Sequence, residues 1–344
     1  MVDPLRRRLL GVGLGGLALR ATAVRVRAAD AQPAELLNVS YDVSRELYTQ
    51  INPAFVAQWK ALTGRVVSIR QSHGGSSKQA RSVADGLQAD VVTLNQVTDI
   101  NFLQQTGLVA PGWRERFPNH AVPAYSLPVM LVRAGNPKAI RDWGDLGRPG
   151  SQVLMTNPKT SGNGRYAYLA NFAWALEQTS GNEAKAKDLV GRVFANVPLF
   201  DTGGRGASAS FVEQGLGDAL VTFESEVNAI VRQYPQAGLQ VVVPPASVRA
   251  DFPVAVVDRV VDRHGTRALA TAYLQFLYGD VGQEILARNF NRVINEAVEK
   301  RYAAQFPPVK LVTVEARFGG WDQVAIRHFA DGGLLDQALA LVSK

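Results

Sequence analysis

The sequence predicts an α/β protein of two lobes, each a mainly parallel sheet flanked by helices, with a ligand site between them. Three observations carry this expectation. Short apolar runs of strand length alternate with helix-period stripes in both halves of the chain. Two long extended segments, near 122–133 and 241–257, are placed to cross between lobes. Finally, three turns share one make: small residues, glycines and a hydroxyl just before a helical pattern. They are His73-Gly74-Gly75-Ser76-Ser77, Thr160-Ser161-Gly162-Asn163-Gly164 and Thr202-Gly203-Gly204-Arg205-Gly206-Ala207-Ser208.

In the first half, Leu36 to Tyr41 reads as a buried strand, with Asp42 and Ser44 as caps for the next helix. Leu47, Ile51, Phe55, Val56, Trp59 and Leu62 then recur at helical spacing. Pro53 is expected to interrupt this helix and Gly64 to end it. Val66 to Ile69 is the next strand. Ala80, Val83, Ala84 and Leu87 form a helical stripe after the first glycine turn, and Asp90 to Leu94 is a third strand. In the second half, the strand Val153 to Met155 ends at the second turn, and 165–178 reads as a helix. Pro198 to Phe200 leads into the third turn. Phe211, Val212 and Leu216 mark a short helix, and Ala219 to Phe223 another strand. Val241 to Val243 and Val254 to Val257 are apolar runs separated by prolines. Residues 266–278 and 280–289 are expected to be helical, and 321–342 mostly so.

The first amides of a helix have no intrahelical acceptor, and the macrodipole is positive there. One such turn is commonplace, since strand–helix turns often need glycine for conformational reasons. Three, each with a serine at or just behind the helix start, point to a single anion held by several helix N-termini. Ligands of such sheets bind outside the carboxyl ends of the strands, where these turns sit.

Bulk properties narrow the classes. The chain has 344 residues, 47% hydrophobic and 19% charged, an ordinary globular composition able to bury a large core. Its net charge is +7, but residues 1–31 hold six arginines against two aspartates, net +4, leaving +3 for the rest. That remainder makes no strong electrostatic claim on nucleic acid. Residues 1–31 read as an export signal: Arg6-Arg7-Arg8, an apolar run from Leu9 to Leu19 too short to span a bilayer, and Ala29-Asp30-Ala31 as a small-x-small cleavage site. Arg6-Arg7 followed by Leu9-Leu10 also fits twin-arginine export, so Sec and Tat routes both stay open. There is no cysteine, hence no disulfide, thiolate metal site, cysteine nucleophile or cysteine-linked lipid. A periplasmic location is the expectation.

The remaining motifs are weak. Gly11-Val12-Gly13-Leu14-Gly15-Gly16 fits G-x-G-x-x-G, but no strand precedes it and it lies in the signal's apolar run. The four histidines (73, 120, 264, 328) lack ligand spacing, and no arrangement suggests an activated nucleophile. Neither a metal nor a cofactor is expected. Lys78 and Arg81 after the first turn, Arg165 after the second, and Asp201 and Arg205 around the third either reinforce the anion site or are solvated charge. Glu224 and Glu226 are expected to be surface or rim carboxylates.

At these turns the chain resembles the periplasmic sulfate- and thiosulfate-binding proteins of ABC importers, from about residue 36 to the C-terminus. The resemblance rests on Val39-Ser40-Tyr41-Asp42, Arg45-Glu46-Leu47-Tyr48, Gln71-Ser72-His73-Gly74-Gly75-Ser76, Ala89-Asp90-Val91-Val92-Thr93-Leu94, Asn157-Pro158-Lys159-Thr160-Ser161-Gly162 and Asp201-Thr202-Gly203-Gly204-Arg205-Gly206. Near the end come Phe318-Gly319-Gly320-Trp321 and His328-Phe329-Ala330-Asp331-Gly332-Gly333.

The resemblance implies a type II-like periplasmic-binding-protein fold, with 32–124 plus 252–315 as one lobe and 125–251 plus 316–344 as the other. It implies a dehydrated dianion held by donors alone. Asp42, Ser76, Gly162, Asn163 and Gly204 would give backbone N–H groups and Ser161 its hydroxyl, with Arg165 and Arg205 holding the liganding peptides from behind. Asn163 stands where the family often has glycine. Phe223 stands where the family has a tryptophan whose indole N–H binds the anion; phenylalanine cannot donate. The implied function is capture of sulfate or thiosulfate by a monomer and delivery to an ABC permease. Receptors for another tetrahedral oxyanion such as molybdate, or a hydrolase of sulfate or phosphate esters, are the alternatives.

Overall fold

A computed structural model describes residues 34–341; the expected export signal lies outside the described residues. These residues form two main sheets joined by a small third one. The first main sheet has the strand Ala34–Tyr41 at its centre, with Val67–Gly74 and Val91–Thr93 parallel on either side and Val254–Val256 antiparallel at the edge beyond Val91–Thr93. The second has five strands in the order Phe200–Asp201, Val153–Thr156, Ala219–Phe223, Pro128–Val132, Gln240–Val242. Its first three strands are parallel, and Pro128–Val132 runs antiparallel to both of its neighbours. Their central positions are fully buried, as expected for sheets covered by helices on both faces.

The two extended segments pair with each other. Ala250–Phe252 and Arg292–Val293 each run antiparallel to Ala124–Ser126. From this small sheet the chain continues directly into Pro128–Val132 of the second main sheet on one side and Val254–Val256 of the first on the other. The segments expected to cross therefore do cross, and they do so side by side.

Most elements follow the sequence periodicity. Ala219–Phe223 matches the expected strand at both ends, and Gly64, with φ 70°, ends the first helix. Pro53 does not interrupt that helix, which runs unbroken over Arg45–Thr63. The proline lies on the solvent face, and so does Thr49, whose carbonyl loses its donor; solvent can replace the missing bond. Glu224 and Glu226 are not rim carboxylates: both are buried in the first turn of Glu224–Gln233. The C-terminal stretch breaks into Trp321–Val324, Ala325–Phe329 and Leu334–Leu339, with left-handed glycines at 319, 320 and 332 between or before the pieces. Trp321 packs edge-on against Tyr166, which fixes this stretch to the second sheet's helices. Among the described residues, no helix is long and apolar enough to cross a membrane.

Candidate functional site

The three glycine turns each end a strand and start a helix: Ser76–Ala84, Gly162–Gln178 and Gly204–Val212. Their N-caps are Gly75, Ser161 and Gly203, and none makes a side-chain capping bond. The first amides of all three helices thus lack both intrahelical and local acceptors.

These starts meet at one place. A methyl group on Gly75 would stand 3.5 Å from the carbonyl oxygen of Thr202 and 3.6 Å from that of Thr160, so the first turn touches both others. On Gly204 it would lie 2.8 Å from Val43 Cγ1 and 3.5 Å from Asn163 Nδ2. On Gly162 it would lie 2.1 Å from Asn95 Oδ1 and 2.5 Å from Gln96 Cγ. The last clash requires glycine at 162: the loop after Val91–Thr93 presses directly on the helix start of the other sheet. A groove of about 480 Å³ opens beside this junction, lined by Asp42, His73, Gly75, Lys78, Arg81, Thr160, Thr202 and Gly203 among others. Ser76, Ser161 and Asn163 are buried and do not line it.

The structure therefore brings Asp42, Ser76, Ser161, Gly162, Asn163 and Gly204 together. Two features were not legible in the sequence. Asp99, on the helix Val97–Gln105, accepts from Ser76 Oγ at 2.6 Å and Ser77 Oγ at 2.8 Å, fixing the first helix start from behind. Burial pushes its carboxyl upward, and the nearby Arg165 guanidinium, 3.7 Å away, offsets part of that. Nothing in the local pattern around Asp99 marks it, because its partners are 22 and 23 positions away. The second feature is the Asp42 carboxylate. Besides lying at the start of its own short turn, it accepts from the Arg205 amide at 3.1 Å and so caps Gly204–Val212 from the other sheet. An acidic side chain at a helix N-terminus is favourable there.

Arg165 sits as a brace. Its Nε donates to Pro158 O at 3.2 Å, holding the second turn, and its Nη1 donates to Thr98 Oγ1 at 3.2 Å on the opposite side of the site. Arg205 behaves differently: its guanidinium is half exposed and pairs with Glu46 at 3.0 Å. Gln96 Nε2 donates to Gly162 O at 3.1 Å, another link between the two sheets' loops. Phe223 is fully buried, its ring 5.2 Å from Phe252 and 6.1 Å from Tyr166, and it brings no polar atom. Asn163 donates through Nδ2 to Thr222 Oγ1 at 2.6 Å, and its Oδ1 is buried without a partner.

The two buried carboxylates of Glu224–Gln233 have separate causes for being tolerated. Glu224 forms a bidentate pair with Arg292 at 2.7 and 3.0 Å. Burial raises its carboxyl, and the guanidinium's hydrogen bonds and charge oppose the rise. Glu226 accepts only from Ser208 Oγ at 2.9 Å, so burial dominates and pushes it to about 7. The half-buried His73 imidazole is pushed below its ordinary value by burial and by Arg45.

A bilobal α/β fold with helix starts converging between its sheets defines a receptor for a small ligand. The known proteins it resembles agree. The family model for bacterial extracellular solute-binding proteins matches residues 37–291. A thiosulfate-binding protein of Pseudomonas aeruginosa is 50% identical over 328 residues, covering 95% of each chain. A sulfate-binding protein of Escherichia coli is 45% identical over 322 residues, covering 94% of this chain and 97% of its own. The solved sulfate-binding protein SubI of Mycobacterium tuberculosis superposes with a TM-score of 0.77 at 34% identity, over 85% of this chain and 98% of its own. The chain belongs to the bacterial extracellular solute-binding proteins, and its fold is that of the periplasmic binding proteins.

Proposed function

We propose that this protein captures sulfate or thiosulfate in the periplasm and delivers it to an ABC permease, acting as a monomer exported by a Sec or Tat signal without a lipid anchor. The observation that carries the reading is the convergence of three helix starts, with none of their N-caps supplying a side-chain bond, on one junction between the sheets. A dianion leaving water needs donors in compensation. Five or so hydrogen bonds to a charged acceptor supply roughly 8–15 kcal/mol gross, and micromolar binding needs only about 8 kcal/mol net. The names of the relatives support the choice of anion.

The proposed lobes are 32–124 plus 252–315 and 125–251 plus 316–344. Their hinge is the small sheet of Ala124–Ser126, Ala250–Phe252 and Arg292–Val293. Donors come from both sides: Asp42 and Ser76 from the first, Ser161, Gly162, Asn163 and Gly204 from the second. Closure on the anion then creates the surface that a permease recognises. The proposed backbone ligands are all donors, and phosphate, which keeps a proton at neutral pH, finds no acceptor among those amides. Competition calorimetry at neutral pH tests this. Sulfate and thiosulfate are expected to bind at micromolar concentration or below and to displace each other, with phosphate at least ~100-fold weaker. Tight binding of molybdate alone would shift the assignment to another oxyanion receptor, and turnover of a sulfate or phosphate ester would replace it with an enzyme.

A further inference from the structure

We propose that the side-chain amide of Asn163 is itself an anion ligand and supplies the hydrogen bond that Phe223 cannot make. This rests on the anion-receptor reading above.

Asn163 is in the first turn of Gly162–Gln178 and only 3% exposed. One end of its amide is held by Thr222 at 2.6 Å and lies beside the start of Gly204–Val212. The other end is buried with no partner. A buried amide atom left unpaired is costly, and an asparagine at this depth normally has both ends satisfied. The amide thus sits on one helix start with its Nδ2 beside another, and its Oδ1 is an unused hydrogen-bonding position.

The Thr222 hydroxyl makes the amide reversible. It accepts from Nδ2 in one orientation and donates to Oδ1 in the other, because a hydroxyl does both. With a dianion bound, a half-turn presents NH2 to it while Thr222 Oγ1–H donates to Oδ1, and no bond is lost. The fully buried Phe223, one residue after Thr222, has no donor to compete for that role. Asn163 and Phe223 therefore act as a matched pair: a side-chain amide on the helix start in place of an indole on the strand end.

The test is calorimetry of the native chain, Asn163→Gly, and Asn163→Gly combined with Phe223→Trp, each titrated with sulfate and with thiosulfate. Asn163→Gly keeps the backbone N–H and removes only the amide. It is expected to weaken binding by roughly 10- to 100-fold, the worth of one hydrogen bond to a charged group. The double variant is expected to recover most of that loss. Affinity within about twofold of native in Asn163→Gly overturns the proposal while leaving the receptor reading intact. Failure of the native chain to bind either anion overturns the receptor reading itself. Should a variant fold poorly, the side-chain NH2 resonances of Asn163 in the native protein decide. They are expected to move on anion addition, and unmoved resonances in a protein that binds would reject the role.

Discussion

Gly162 is where the two halves of the site press hardest on each other. Its missing side chain is the space that Asn95 and Gln96 occupy. Gly162→Ala is expected to hold the lobes apart and to weaken anion binding by at least ~10-fold. Equal affinity by calorimetry would show that the loops do not meet this closely around the ligand. Glu226 allows a test by pH. Its folded value of about 7 lies above the ordinary 4.5, so the folded state holds a proton that the unfolded chain releases earlier. Stability contributed by the neutral form is full below about pH 4.5 and is lost as pH rises through about 7. Glu226→Gln removes this dependence, so its advantage over the native chain is expected to grow by about 3 kcal/mol across that window. Parallel melting curves from about pH 4 to 8 would contradict the assignment. The sequence offered no cue for this burial: two glutamates at the start of an amphipathic helix read as solvated until Ser208 and the strands packed over them are known.

At the scale of elements, the helix Arg45–Thr63 carries a proline in its interior without breaking. Proline costs roughly 3 kcal/mol against alanine in a helix interior, partly regained through a stiffer unfolded chain. Pro53→Ala is expected to stabilise the protein by about 1–3 kcal/mol by denaturant unfolding, with anion affinity unchanged. A loss of stability would mean that local bending around Pro53 is needed for packing. The strands and long helices are legible because burial imposes period on sequence, and Ala219–Phe223 is so defined at both ends. The functional helix starts are less so. The apolar stripes begin only at about residue 165 in Gly162–Gln178 and at Phe211 in Gly204–Val212, both after the true starts. Glycine, alanine and serine show no apolar stripe, and these starts face the site rather than the core. The glycine turns themselves supply the missing signal. What they do not supply is which side chains answer them from the opposite sheet: Asp42 on Arg205, Asp99 on Ser76 and Ser77, Gln96 on Gly162.

The described residues comprise two main sheets, the short three-stranded connection and a two-stranded pairing of Ala246–Val248 with Lys310–Val312, with the proposed site between loops of the main sheets. The crossing segments pair as Ala250–Phe252 on Ala124–Ser126, the small sheet proposed above as the hinge. Arg165 to Thr98 and Arg205 to Glu46 link loops of the two main sheets. Removing the Glu46 charge by Glu46→Gln is expected to loosen closure slightly, with a roughly two- to fivefold loss of anion affinity that shrinks at high salt, since exposed pairs are worth about 0.2–1 kcal/mol. An effect that is insensitive to salt would argue against an electrostatic link. The central claim is that amides from separate loops hold one anion. Sulfate titration of the nitrogen-15-labelled chain tests it directly. The backbone amide signals of Asp42, Ser76, Gly162, Asn163 and Gly204 are expected to move together along one binding curve. Binding that leaves those signals in place, or moves them with different midpoints, would contradict it.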